Sequence, residues 1–290
     1  MSATCPLCDA PTSRRSWLGT LQFDGHLYPY LECAACRSLY ACPMPGDQAL
    51  TRMYGLAYEA EAGGGTRVGD PKDPDSVLAL LAGLTPGTFV DYGCGDGALL
   101  SRAARAGWNA VGVEFDPDVA ASTARRTGLR VHDRATESSL PDAVADVLHL
   151  GDVIEHLRTP ALELQRIRRL VKRGGHLVAQ GPLEANANLF TAALKAWKRA
   201  SGRAVSNMAP YHVTLATRAG QQALFNRVGL ISERFSLQEV EWPAPSRLRA
   251  ADAMNPRAAA LFVLRKASQA MSAVRPSRWG NRYFYVGLVP

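Results

Sequence analysis

Between residues 76 and 182 the chain alternates between two hydrophobic periods. "TFVDYG", "NAVGVEF", "LRVHD", "ADVLHLGD" and "HLVAQGP" are short apolar runs that predict five strands. "DSVLALLAGL", "GALLSRAARAG", "PDVAASTARRTG" and "TPALELQRIRRLVKRGG" predict helices, the last stopped by Gly174 and Gly175. Strands alternating with helices predict an α/β fold with a Rossmann-like, doubly wound and mostly parallel sheet. Ligands of such sheets sit at the carboxyl ends of the strands. Further on, "PRAAALFVLRKASQAMSAV" predicts an amphipathic helix, and "RYFYVGLVP" predicts a final strand at the sheet edge.

Upstream the pattern changes. "TLQFDGHLYPYLEC" predicts a hairpin turning at Asp24-Gly25. Pro43 and Pro45 mark a linker, a short helix carries Tyr54 and Tyr58, and "EAGGGTRVGDPKDPD" reads as a mobile loop or boundary. The expected organisation is a knuckle over 1–45, a linker over 46–75 and a main domain over 76–290. A lid is expected over about 183–210.

Composition adds bounds. With 290 residues, 47% hydrophobic and 20% charged, the chain is globular in type. No apolar stretch is long enough for a membrane span, and "MSATCPLCDA" has neither the basic nor the apolar region of a signal peptide. A cytoplasmic monomer or homodimer is expected. The net charge of +7 can steer RNA, a sugar nucleotide or an acidic glycan, or simply reflect an arginine-rich surface. Basic clusters occur at Arg166, Arg168, Arg169, Lys172 and Arg173, and at Lys195, Lys198 and Arg199. Trp197 is the one aromatic within either cluster, short of the repeated aromatics of a base-stacking platform.

Four of the six cysteines form two C-x-x-C pairs, Cys5 with Cys8 and Cys33 with Cys36. Two such pairs supply four thiolates for a closed, structural zinc site. Disulfides suit an oxidising compartment, and a redox pair suits a thioredoxin unit, which the surroundings do not resemble. Metal would hold together a segment too small to fold alone.

The chemistry-bearing stretch is "VDYGCGDGALL". Asp91 ends the first predicted strand, Gly93 and Gly95 make the turn, and Glu114 ends the second strand 21 residues after Gly93. An acid at that distance suits ribose hydroxyls. The turn is not G-x-G-x-x-G. Asp91 and Asp96 would oppose the pyrophosphate of NAD. S-adenosyl-L-methionine carries an ammonium and a sulfonium instead, so a cationic adenosyl ligand is expected.

These motifs resemble those of class I S-adenosylmethionine-dependent methyltransferases. "VGVEFDPD", "DVLHLGDVIEHLRTP" and "LVKRGGHLVAQGP" are similar to the family's later strand motifs. The leader "CPLC…CAACRSLYACPMPGDQALTRMYGLAYE" and the segment "YHVTLATRAGQQALFNRVGL" resemble a zinc-binding subgroup from polysaccharide and natural-product biosynthesis. The resemblance implies that Asp91, Gly93 and Gly95 cradle the methionine part. It implies that Glu114 binds the ribose, that Phe115 lies beside the adenine, and that Asp133 meets the adenine amino group. Asp152, Glu155 and His156 then follow the fourth strand, near the cofactor and the acceptor. His156 is the expected base, with His212, preceded by Tyr211, as second candidate. Other roles for this cluster are shaping the pocket, or holding a divalent ion through Asp152, Glu155 and His156 as in quinone-type O-methyltransferases. The expected function is methylation of a small molecule or glycan, foremost O-methylation of a sugar or secondary metabolite. An RNA methyltransferase and a non-catalytic scaffold are the alternatives, nucleic acid being the less favoured partner.

Overall fold

The computed structural model describes residues 4–53, 74–202, 205–207, 209–239, 255–275 and 279–290. Tyr54, Tyr58 and the glycine-rich loop up to residue 73 lie outside the described residues, whereas residues 47–53 are helical.

The main sheet uses the predicted strands: β4 (Thr88–Tyr92), β5 (Asn109–Val113), β6 (Arg130–His132), β7 (Ala145–Gly151) and β8 (Val171–Pro182). They run parallel, joined through α2 (Ala98–Arg105), α3 (Pro117–Thr127) and α4 (Pro160–Arg168), with α1 (Pro74–Ala82) before them. β11 (Ile231–Gln238) and β12 (Arg282–Leu288) complete the order β11-β12-β8-β7-β4-β5-β6. The connections leave β4 in opposite directions, so the crevice beyond β4 is the topological switch point.

Local chemistry explains these elements. Asp116 caps α3 by accepting from the N–H groups of Asp118 and Val119, Pro117 opens the helix, and Gly128 (φ 70°) closes it. The central strands are apolar on both faces because both faces are covered. Val147 and Val178 pack with Leu81, Leu100 and Trp108 on one side, while Leu148 and Leu177 pack with Leu164, Leu224 and Tyr285 on the other.

Two details depart from expectation. The helix expected to run to Gly174 ends at Arg168, and β8 starts at Val171. The Ala145 N–H donates to the Leu170 carbonyl, so sheet pairing takes these residues. Gly175 then lies where a Cβ would come 2.9 Å from the Asp146 carbonyl oxygen. The final strand β12 is not at the edge. It pairs with β8 on one side and β11 on the other, both antiparallel. β11, "ISERFSLQ", is mostly exposed and carries too weak an apolar alternation to predict a strand.

A second sheet has the order β10-β3-β2-β1-β9. β1 (Ser13–Phe23) and β2 (His26–Cys33) form the expected hairpin, with Asp24 (φ 50°) and Gly25 (φ 74°) in the left-handed turn that Asp-Gly favours. β3 (Leu39–Ala41) follows. The other two strands, β9 (Val205–Asn207) and β10 (Thr214–Leu215), come from far along the chain and pair with β1 and β3. The segment expected as a lid supplies β9 and the helix α5 (Leu189–Ser201), and Lys198 Nζ donates to the Leu18 carbonyl at 2.8 Å. α6 (Arg218–Arg227) and α7 (Pro256–Val274) complete the described helices.

Candidate active site

At the carboxyl end of β4 three glycines take positive φ: Gly93 (83°), Gly95 (52°) and Gly97 (70°). A Cβ at Gly93 would lie 2.6 Å from Val153 Cγ2, so the turn and the segment after β7 pack without room for a side chain. Glu114 folds back across the turn. Its Oε2 accepts from the Gly95 N–H at 2.8 Å and its Oε1 from the Phe115 N–H at 2.7 Å. Phe115 is exposed and meets the Tyr92 ring edge-on, centroids 5.5 Å apart. Gly93, Gly95, Glu114 and Phe115 therefore lie together at the carboxyl ends of β4 and β5.

The two aspartates behind the charge argument have other partners. Asp91 is 3% exposed and lies 2.7 Å from His149 Nδ1. His149 Nε2 lies 2.9 Å from the Gln180 amide nitrogen. The amide donates, so Nε2 accepts, and Nδ1–H donates to Asp91. This chain of three crosses the sheet from β4 through β7 to β8. Asp96 accepts from the Ala98 N–H at 3.0 Å, at the start of α2. Asp133 lies at the surface and accepts from Thr136 N–H at 2.8 Å and its hydroxyl at 2.6 Å. Those hydrogen bonds hold its carboxyl below the usual range.

Beyond β7 lies a second cluster. Asp152, at φ 55°, turns its carboxylate to Arg282 of β12, whose Nη2 is 2.8 Å from both oxygens. The turn Ile154–His156 buries Glu155. Burial, then the Asp152 charge, pushes the Glu155 carboxyl up to about 8. Its Oε1 and the Tyr283 hydroxyl are buried with no hydrogen-bond partner among the described residues. His156 Nδ1–H donates to the Tyr211 carbonyl at 2.9 Å, and His212 Nδ1–H donates to Glu184 Oε2 at 2.6 Å. The two imidazoles meet edge-on, centroids 5.0 Å apart.

Their charges differ. Burial and the neighbouring His212 push His156 down to about 4. Burial also opposes charge on His212, but Glu184 outweighs it and raises the group to about 9. His156 is therefore neutral at pH 7, while His212 and Glu184 form an ion pair. One ligand atom each from Glu155, His156 and His212 lies within 4.8 Å of the others, an arrangement able to hold a cation. Asp152 is not in that group, because it faces Arg282.

Residues 71–231 match the family described as a methyltransferase domain. The chain belongs to this methyltransferase family. It is 37% identical over 164 residues to the ribosomal protein L11 methyltransferase of Cupriavidus taiwanensis, across 55% of this chain and 52% of that protein. It is 30% identical over 117 residues to the ubiquinone biosynthesis O-methyltransferase of Alkalilimnicola ehrlichii, across 38% and 47%. The chain thus spans about half the length of these curated relatives. The fold is also that of the Burkholderia thailandensis 1,6-didemethyltoxoflavin-N1-methyltransferase, at 15% identity and TM-score 0.52, over 93% of this chain and 99% of that one.

The methyltransferase domain carries the four-cysteine knuckle on its α6 side. Cys5 Sγ lies 3.7 Å from Cys36 Sγ and Cys8 Sγ 3.5 Å from Cys33 Sγ, and all four sulfurs are within 4.8 Å of one another. Zinc–sulfur bonds of about 2.3 Å in a tetrahedron set the sulfurs about 3.8 Å apart, so the cluster is compatible with zinc. No disulfide joins them. The Cys36 N–H points at Cys33 Sγ, 3.5 Å away. Within the methyltransferase site, sequence reasoning missed His149, Gln180, Glu184 and Arg282. A histidine inside the apolar run "ADVLHLGD" was the one available signal.

Glu155 yields a stability test. Its folded value, about 8, lies above the ordinary 4.5, so the fold favours the protonated form. That contribution is full below about 4.5 and is lost as pH rises through 8. Glu155→Gln cannot ionise. Its melting temperature relative to the parent should rise between pH 5 and pH 9 in differential scanning fluorimetry, and a pH-independent difference would contradict the assignment.

Proposed function

We propose that the protein transfers the methyl group of S-adenosylmethionine to an oxygen of a small molecule or glycan, foremost a sugar or secondary metabolite. The observation that carries this reading is the junction of the glycine turn with the histidine cluster. Val153 packs on Gly93, and the turn it opens bears Glu155 and His156. Gly93, Gly95, Glu114 and Phe115 would hold the adenosyl ligand, which supplies a methyl group on a sulfonium. With Asp91 tied to His149, its part is to stiffen the strand end beneath the ligand. Asp133 caps a surface turn and stands as a weaker contact for the adenine.

A hydroxyl acceptor loses a proton as its oxygen takes the methyl group. His156 is the proton acceptor: it is neutral at pH 7, and its Nδ1–H bond to Tyr211 places the lone pair on Nε2. The His212–Glu184 pair shapes the neighbouring wall. A ribosomal-protein amine is the second reading, favoured by the 37% identity to the L11 enzyme of Cupriavidus taiwanensis. Zinc in the knuckle, through Cys5, Cys8, Cys33 and Cys36, completes the proposal.

Three measurements test it. S-adenosylhomocysteine should raise the melting temperature, and Glu114→Ala should weaken its calorimetric binding while NAD gives no heat. Binding of NAD alone would overturn the cofactor assignment.

With an acceptor found by product-detection screening, His156→Ala should lower turnover by roughly 10²-fold and leave homocysteine-adduct affinity unchanged. Turnover of the parent should be flat between pH 6 and 8. Were neutral His212 the base instead, turnover would climb as pH rises through about 9.

Elemental analysis should find about one zinc per chain, and Cys5→Ser should lower both zinc content and melting temperature. Folded, zinc-free protein with intact cysteines would contradict the metal assignment.

A further inference from the structure

Lys195 and Arg199 of α5 have a partner that lies far away in sequence. A cavity of about 340 Å³ opens between α5 and the β1–β2 hairpin, lined by Arg14, Arg15, Trp17, Arg37, Lys195 and Arg199, with Glu32 as its acid. Glu32 accepts from Arg37 Nη2 at 2.7 Å and from Arg14 Nη2 at 3.3 Å. Its single charge is shared between those two. Arg15, Lys195 and Arg199 have no ion pair among the described residues. Five cationic residues thus line a concave site that holds one carboxylate.

One of these cations is held in place. Lys195 Nζ sits over the Trp17 ring, 5.2 Å from its centroid, so the indole fixes the ammonium on the cavity wall. Burial lowers the Lys195 ammonium below its ordinary range; Arg37 and Arg199 add to this and Glu32 opposes it. Two lysines of α5 thereby have different tasks, since Lys198 is spent on the Leu18 carbonyl and Ser206.

We infer that this cavity binds the diphosphate group of a small molecule. Guanidinium forks match phosphate oxygens in pairs, and a fixed ammonium adds a point charge between them. The cavity has the size of a small-molecule site. Single-stranded nucleic acid binds by stacking its bases on open aromatic faces. Here the indole is covered by Lys195, so the site recognises phosphate and not a base. It uses none of the residues assigned above to methyl transfer, and it stands or falls independently of that assignment.

The test is calorimetric titration of the full chain at about 0.15 M salt, where surface charge is screened. Inorganic pyrophosphate should bind, and a nucleoside diphosphate should compete with it. The double variant Lys195→Ala/Arg199→Ala should weaken pyrophosphate binding at least about tenfold, with S-adenosylhomocysteine binding and melting temperature unchanged. Absence of pyrophosphate binding at millimolar concentration overturns the assignment, as does equal binding by the double variant. A nucleoside diphosphate that binds without displacing pyrophosphate also overturns it. So does a single-stranded RNA that binds through Lys195 and Arg199 and is not displaced by pyrophosphate.

Discussion

The seating of the cysteine knuckle on the start of α6 is the contact on which the rest of the site depends. Thr217 donates its hydroxyl to the Cys36 carbonyl at 2.6 Å, and its N–H to Ser38 Oγ at 3.0 Å. Its Oγ1 also accepts from the Gly220 N–H at 3.1 Å, capping α6. Gly220 has no room for a side chain: a Cβ would come 2.2 Å from Ser38 Oγ and 3.2 Å from Cys36 Sγ. Buried hydrogen bonds of this kind are costly to leave unmade. They add to the apolar packing of Cys5, Leu7, Cys33 and Tyr40 against the core of the main sheet.

The consequence reaches the histidines. β10 pairs with β3, and the Tyr30 hydroxyl donates to the His212 carbonyl at 2.7 Å. The hairpin held by the four cysteines therefore fixes the backbone of His212. His212, at a centroid distance of 5.0 Å, adds to the effect of burial in keeping His156 uncharged. A metal in the knuckle would thus act on the backbone beside the two histidines without touching them.

The same economy governs the acids. Asp91, Asp96, Asp133 and Asp152 stand at the expected ends of strands, yet each is engaged within the protein: with His149, the start of α2, Thr136 and Arg282. The Glu114 carboxylate likewise accepts backbone N–H groups, and in doing so lies across the glycine turn. A carboxylate withdrawn from water needs hydrogen-bond partners; Asp91 and Asp152 take theirs from other strands, Asp96 and Asp133 from N–H groups two and three residues on.

The sequence by itself determined what depends on near neighbours. Apolar period located β4 to β8, Asp24-Gly25 the hairpin turn, and Asp116, Pro117 and Gly128 both ends of α3. Cysteine spacing marked the thiol cluster, and the glycines with Glu114 marked the crevice. Tertiary structure decided the pairings between distant positions: Asp91 with His149, His212 with Glu184, Asp152 with Arg282, and Trp17 with Lys195. It also decided that β11 covers β12, and that β9 and β10 complete the second sheet. Turn chemistry and period are set within a few residues, whereas these contacts exist only once the order of strands brings their backbones side by side.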